Sequence, residues 1–169
     1  MPFPDWMPQY EICFPIESKH FGPSRLQITP KGYEKDTGGG LAPDHRNRVY
    51  GIYVTARFED EGRGLKYDIS DFIQPECFRE LEAIVAESEN EKPPAQFVGD
   101  DGYIDIHFSR VTDHRLRILC LSPSLGWNVT CLRLEIEGFV TPESLAEPLR
   151  QIHKLLEVVG QIDSGSMEA

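Results

Sequence analysis

Residues 50–69 read YGIYVTARFEDEGRGLKYDI, and this stretch decides the fold class. From 50 to 58, apolar side chains alternate with polar or amphipathic ones, with Tyr50 and Ile52 on the apolar face. This alternation is typical of an antiparallel strand with one buried face. The polar run at 59–64 contains two glycines and predicts a turn, after which the extended pattern resumes. The stretch therefore predicts a β-hairpin.

Two helices are predicted, one before and one after a further group of strands. The first occupies residues 71–88, where apolar residues recur at helical spacing and Pro75 suits an early helical position. The second starts with Thr141 as its N-cap, and Gly160 predicts its end. Because Pro148 breaks the helical pattern, the second helix is expected either to bend or to begin at this proline.

Further strands are predicted between the two helices. Alternating or apolar runs occur at 95–98, 103–109, 116–121 and 128–137, and the links between them are short. Short links between neighbouring strands favour an antiparallel meander. The sequence therefore predicts an α+β fold, in which an antiparallel β-sheet meander carries two helices packed on one face or at one end.

The chain has the length of one domain. We expect a single α+β domain over residues 1–160 and a flexible tail over residues 161–169. The first 47 residues are rich in proline and glycine and predict a loop-rich part of the domain. Two short extended pieces fit into this part, near residues 10–14 and 25–29.

The negative charge of the chain is concentrated in its middle. The net charge is −11, and residues 59–105 hold 14 acidic and 4 basic side chains, a net of −10. Because phosphate binding needs positive charge, this distribution disfavours nucleic acid as a partner. Two interpretations remain open, a solvated acidic face that keeps the protein in solution and a docking surface for a basic partner.

The sequence predicts a cytoplasmic protein that does not enter a membrane. No run of about 18 apolar residues is present, and the first residues lack the basic region and apolar core of a signal peptide. The four cysteines, Cys13, Cys77, Cys120 and Cys131, form no CxxC pair. We expect all four to be reduced thiols.

Side chains that can do chemistry are present without the arrangement that catalysis needs. His107 and His114 are seven residues apart, whereas zinc ligands usually come in pairs spaced by about two to five residues. Cys77 lies near a predicted helix start, but the neighbouring Glu76 and Glu80 raise a thiol pKa rather than lower it. We therefore predict a non-enzymatic protein without metal or cofactor. The alternative is an enzyme with a diffuse site near His107 and His114.

The order of features between residues 50 and 159 gives a further indication. The features are a strand at 52–58, its hairpin partner at 67–72, a helix with Phe78, Leu81 and Ile84, an Asp101-Gly102 turn before a strand at 103–108, and a strand at 127–136 that leads into a helix at 141–156. This order resembles that of a family of bacterial immunity proteins, the WapI type, which are encoded beside contact-dependent or wall-associated toxins.

The resemblance implies a non-enzymatic inhibitor that binds a cognate protein toxin in the cytoplasm of the producing cell. Many such toxins are basic nucleases, to which an acidic surface is complementary. We expect two acidic turns to contribute to this surface, Glu59, Asp60 and Glu61 in the first and Asp100 and Asp101 in the second. Charge reversal at these five positions is predicted to weaken toxin binding and to reduce its salt dependence.

A different protein-binding role, as an accessory or adaptor module, is the main alternative. A toxin gene directly upstream would favour the immunity hypothesis over this one. The sequence predicts neither the oligomeric state nor whether the first 47 residues pack onto the rest of the domain.

Overall fold

The computed structural model describes residues 1–4, 7, 10–17, 24–37, 47–86, 93–111, 113–121 and 135–166. This part of the chain contains eight β-strands and two α-helices. In chain order they are β1 (Ile12–Ile16), β2 (Ser24–Lys35), β3 (Val49–Asp60), β4 (Leu65–Ile73), α1 (Pro75–Ala86), β5 (Ala95–Val98), β6 (Asp105–Arg110), β7 (Leu116–Leu121), β8 (Glu135–Val140) and α2 (Ala146–Asp163). None of the helices in these ranges is long and apolar enough to cross a membrane.

The strands form two antiparallel sheets of four strands each, β1-β2-β3-β4 and β5-β6-β7-β8. Neighbours in each sheet are also neighbours in sequence, so each sheet is a meander. The predicted α+β class and the antiparallel meander are thus confirmed. The strands divide between two sheets because α1 carries the chain away from β4 before β5 begins.

The predicted hairpin is confirmed as β3 and β4, paired without interruption from Asp60 opposite Leu65 to Ile52 opposite Ile73. The first 47 residues contain more strand than the sequence suggests, because β2 is 12 residues long. Proline and glycine usually interrupt a strand. In β2 they are accommodated by a shift in the pairing register between Pro30 and Gly32.

The two sheets are joined at both sides and enclose one hydrophobic core with the helices. At one side the Glu17 N–H donates to the Phe139 carbonyl, and at the other the Asp100 N–H donates to the Phe72 carbonyl, at 2.7 and 2.9 Å. Between them, fully buried phenylalanines contact one another. The pairs are Phe14 with Phe108, Phe78 with Phe97, and Phe97 with Phe108, at centroid distances of 5.4, 4.9 and 6.4 Å.

The C-terminal helix corrects the sequence predictions for both of its ends. It begins at Ala146, after a separate 3₁₀ turn that follows Thr141. The helix does not end at Gly160, and a tail does not begin at residue 161, because Ile162 is buried in the core and holds the last turn in place. The Asp163 carboxylate also accepts a hydrogen bond from the Val49 N–H at 2.6 Å. Pro148 lies in the first turn of α2, where its missing N–H removes no helical hydrogen bond.

The last predicted strand, at 128–137, is described only in part. Residues 128–134 lie outside the described residues, and β8 runs from Glu135 to Val140. Residues 167–169 of the predicted tail also lie outside the described residues.

Candidate protein-binding surface

The first acidic turn, Glu59–Glu61, lies at the end of β3, and two of its three carboxylates are paired within the chain. Glu59 accepts hydrogen bonds from the Arg25 guanidinium, which lowers the pKa of the Glu59 carboxyl. The buried Asp60 side chain accepts the Arg63 N–H at 3.1 Å. Of the three carboxylates of this turn, only that of Glu61 is exposed without a hydrogen bond to another described residue.

The second acidic turn follows β5 and lies at the opposite end of β4. The Asp100 carboxylate accepts a hydrogen bond from the Gln74 amide at 3.2 Å, and Asp101 is exposed. Strands rise about 3.3 Å per residue, so the length of β4 separates the two acidic turns by roughly 25 Å. The two acidic turns therefore lie at opposite ends of β4.

A buried carboxylate that was not predicted from the sequence organises the second turn. Asp71 on β4 has 6% of its surface exposed. Its carboxylate accepts hydrogen bonds from four backbone N–H groups, those of Phe72, Asp101, Tyr103 and Ile104, at 2.7, 3.2, 2.7 and 2.9 Å. A β-carbon at Gly99 would lie 1.9 Å from an Asp71 carboxylate oxygen, so the approach of the turn to Asp71 requires glycine there.

Next to this turn, three aromatic side chains form an exposed cluster on the outer face of β3 and β4. The ring of Phe72 lies 5.7 Å from that of Tyr50 and 5.0 Å from that of Tyr53. Tyr50 is 41% and Tyr53 44% exposed. Gly51 lies under the Phe72 ring, where a β-carbon would come within 2.2 Å of it. We call Tyr50, Tyr53 and Phe72 the aromatic patch.

The position of Tyr50 corrects the sequence prediction that placed it on the buried face with Ile52. The pairing of β3 with β2 shifts where Glu34 is opposite Gly51 and Lys35 is opposite Val49. Tyr50 has no partner in this register, and an extra residue of this kind interrupts the alternation of a strand. The irregularity turns the Tyr50 side chain outward.

Carboxylates border the aromatic patch on two sides. Glu34 accepts a hydrogen bond from the Tyr53 hydroxyl, which raises the pKa of that tyrosine. On the other side, the backbone of Asp100 is hydrogen-bonded to that of Phe72, and Asp101 follows it. Exposed tyrosines beside carboxylates supply apolar contact area, hydrogen-bonding groups and negative charge, which together suit a protein partner with basic side chains.

A polar cleft of about 440 Å³ begins at Tyr50 and extends between the start of α1 and the end of α2. Both signs of charge line it, with Arg48 and Arg79 facing Asp36, Glu76 and Asp163. Arg79 forms an ion pair with Glu76 at 2.5 Å. The mixed charge makes the cleft an extension of the aromatic patch that can accept polar side chains, rather than a site for one kind of ion.

The two histidines considered for catalysis do not form a common site. His107 lies on the outer face of β6 and is hydrogen-bonded to Asp105 at 2.7 Å. His114 lies in the turn before β7, where its backbone has a φ of 64°. The described ranges contain no group of three or more His, Cys, Asp or Glu side chains placed to hold a metal ion.

The described cysteines lack the properties of activated nucleophiles. Cys77, in the first turn of α1, has its pKa raised by burial, which is the opposite of what catalysis by a thiolate needs. Burial likewise raises the pKa of Cys13. In Cys120, which lies on β7 between the two sheets, burial raises the pKa to about 12.

The raised pKa of Cys120 leads to a prediction about its reactivity. At pH 8 we expect very little of the Cys120 thiol to be ionised in the folded protein, because burial raises its pKa to about 12. We expect iodoacetamide to modify Cys120 at least about 100-fold more slowly in the folded protein than in urea. Peptide mass spectrometry of timed samples measures both rates. Equal rates would show that the thiol is not buried between the sheets.

The chain matches no protein-family model, no curated protein and no solved structure.

Proposed function

We propose that this protein is a non-enzymatic inhibitor that binds a basic protein, in the manner of a bacterial immunity protein that neutralises its cognate toxin in the cytoplasm. The observation that carries the proposal is the aromatic patch, with Tyr50 and Tyr53 exposed and carboxylates on both sides. Neither tyrosine is needed to fill the core, and both are held in place by Phe72.

The tyrosines are suited to supply most of the binding energy. Tyrosine is enriched among the interface residues that contribute most, because a rigid ring buries a large area at a small entropic cost. The contact of Phe72 with both rings reduces their freedom before a partner arrives. A preorganised surface loses less entropy on binding and therefore binds more tightly.

The acidic residues are suited to select a basic partner and to speed its approach. Asp100 and Asp101 adjoin the aromatic patch, whereas Glu59 and Asp60 are already engaged by Arg25 and Arg63. We therefore place the electrostatic contribution mainly at the second acidic turn. With a net charge of −11, the whole molecule also attracts a basic partner over a distance that salt shortens.

The partner is identified first, by co-purification of the tagged protein from its native host at moderate salt. A stoichiometric partner with a toxin or nuclease domain supports the proposal. A partner without any toxic activity would favour the adaptor hypothesis. Recovery of the protein alone, from cells that express the neighbouring genes, would argue against a stable complex of either kind.

The aromatic patch is tested by replacing both Tyr50 and Tyr53 with alanine. We expect partner binding, measured by titration calorimetry, to weaken about 100-fold or more, because each tyrosine at the centre of an interface is worth about 2 kcal/mol. Glu137→Ala is the matched control, since it lies on the other sheet and loses only an exposed ion pair with Arg117. Unchanged affinity in the double variant would exclude the patch.

The two acidic turns are compared by charge reversal in the same assay. We expect Asp100→Lys with Asp101→Lys to slow association and to reduce its salt dependence, while Glu61→Lys has a smaller effect. Equal effects at the two turns would contradict the placement of the partner beside the aromatic patch.

A further inference from the structure

The two sheets have four edge strands, and within the described residues three of them are covered. β1 and β8 lie against each other, joined by the hydrogen bond from Glu17 to Phe139. β5 is covered by α1, with the Cys77 sulfur 4.0 Å from the Val98 carbonyl. β4 differs, because no described backbone group is hydrogen-bonded to its outer side between residues 65 and 70.

β4 is also long and regular for an edge strand. It has nine residues, no proline, and no shift in its register with β3. Proteins usually protect such an edge by shortening it, by inserting a proline or bulge, or by placing charges on it. Here only charge is present, as Lys66 and Asp68, which have opposite signs. Both side chains stay exposed, although they also pair with Glu59 and Arg57 within the chain. The charges on this edge therefore disfavour pairing with most strands. They favour pairing with a strand whose charged residues occur in the complementary order.

The direction of the free backbone groups follows from Phe72. Its carbonyl accepts the Asp100 N–H and therefore points away from β3. In a strand the N–H and C=O of one residue point to the same side, and successive residues alternate. The backbone groups of Lys66, Asp68 and Ser70 accordingly point outward from the open edge.

A second copy of β4, turned antiparallel about a two-fold axis at Tyr67, is complementary to the first. Lys66 of one copy is then opposite Asp68 of the other, twice, and these residues exchange their outward N–H and C=O groups. On the inner face, Leu65 of one copy is opposite Ile69 of the other, and the two Tyr67 residues are opposite each other. These three apolar side chains are only half-buried in the single chain, so the pairing would cover them.

We propose that two copies of this chain associate through β4, with Tyr67 at the two-fold axis, to form one continuous eight-stranded antiparallel sheet. This goes beyond the proposed inhibitor function. The aromatic patch lies beyond the paired segment, so the dimer presents two patches on one face. A contact of one strand pair is smaller than a standard interface, and the dimer is therefore a weak one.

The test is sedimentation of the purified full-length chain from about 5 µM to about 1 mM. We expect a monomer–dimer equilibrium in this range. Asp68→Lys places lysines opposite each other twice and should weaken association about tenfold or more. Glu143→Lys, an exposed position on another part of the surface, makes the same change in net charge and should leave association unchanged.

The charge order is tested by mixing two variants. Lys66→Asp and Asp68→Lys each oppose self-association, but an equimolar mixture restores both complementary contacts and should dimerise at least as well as the wild type. Asp68→Pro removes the outward N–H and the side-chain ion pair with Arg57, but no backbone hydrogen bond to β3. It should abolish dimerisation, and circular dichroism verifies that each variant is folded. A wild-type monomer up to 1 mM, or a mixture that stays monomeric, would overturn the proposal.

Discussion

Asp71→Ala is expected to lower the free energy of unfolding by roughly 3–5 kcal/mol. The Asp71 carboxylate is buried and accepts four backbone N–H groups, three of which belong to the turn and strand start at residues 101–104. Alanine supplies no acceptor, so these donors lose their partner, and the Ile104 N–H is left buried away from water. Urea denaturation followed by circular dichroism measures the loss.

Asp101→Ala is the matched control for this prediction. It removes a carboxylate from the same turn, but an exposed one, and should cost less than about 0.5 kcal/mol. If the two variants unfold at similar urea concentrations, the Asp71 carboxylate does not organise the turn.

Gly99→Ala tests the same contact from the other side. The added methyl group would lie 1.9 Å from the Asp71 carboxylate, so either the carboxylate or the turn must move. We expect a loss of about 2 kcal/mol or more. Asp71→Ala removes the carboxylate with which the added methyl group would clash. The double variant should therefore lose less free energy of unfolding than the two single variants lose in total.

The same variants connect stability to binding. Asp71 shapes the turn that carries Asp100 and Asp101, and this turn adjoins Phe72. At temperatures where Asp71→Ala is still folded, we expect it to bind the partner more weakly than Asp101→Ala does.

The parts of the fold that depend on local sequence were predictable. Alternation from 50 to 69 identified the β3–β4 hairpin, and apolar spacing with Pro75 identified α1. The predicted start of α1 at residue 71 was wrong, because β4 continues to Ile73 and the helix begins at Pro75. Both signals come from residues close together in the chain. The division into two sheets was not predictable in this way, because it depends on contacts between distant residues such as Phe14 and Phe108.

The candidate site was less predictable, for the same reason. The neutralisation of Glu59 depends on Arg25, 34 residues earlier in the chain. One signal was present for Asp71. The residues Ile69, Asp71 and Ile73 alternate along β4, so the aspartate occupies an inward position that is expected to be apolar. A carboxylate in a buried position requires hydrogen-bond donors. An aspartate at an inward position of the strand therefore indicates a structural role for Asp71.

Phe108→Ala is the second substitution for which we expect a large effect, a loss of roughly 3–5 kcal/mol in the free energy of unfolding. Phe108 on β6 is fully buried and contacts Phe14 on β1, in the other sheet, and Phe97 on β5. Alanine leaves a cavity between the sheets, because the surrounding strands are held by their own hydrogen bonds and cannot close it. Phe72→Ala, which removes a half-buried ring of the same size, is the control and should cost much less.

The manner in which Phe108→Ala unfolds is as informative as the size of the loss. If the two sheets share one core, the variant should unfold in a single transition at a lower urea concentration, with circular dichroism and intrinsic fluorescence changing together. If the sheets were independent units, the variant would show two transitions. Phe108 would then be a contact between domains, and the single-domain prediction for residues 1–160 would be wrong. The shared phenylalanine cluster leads us to expect one transition, because removing Phe108 weakens contacts in both sheets at once.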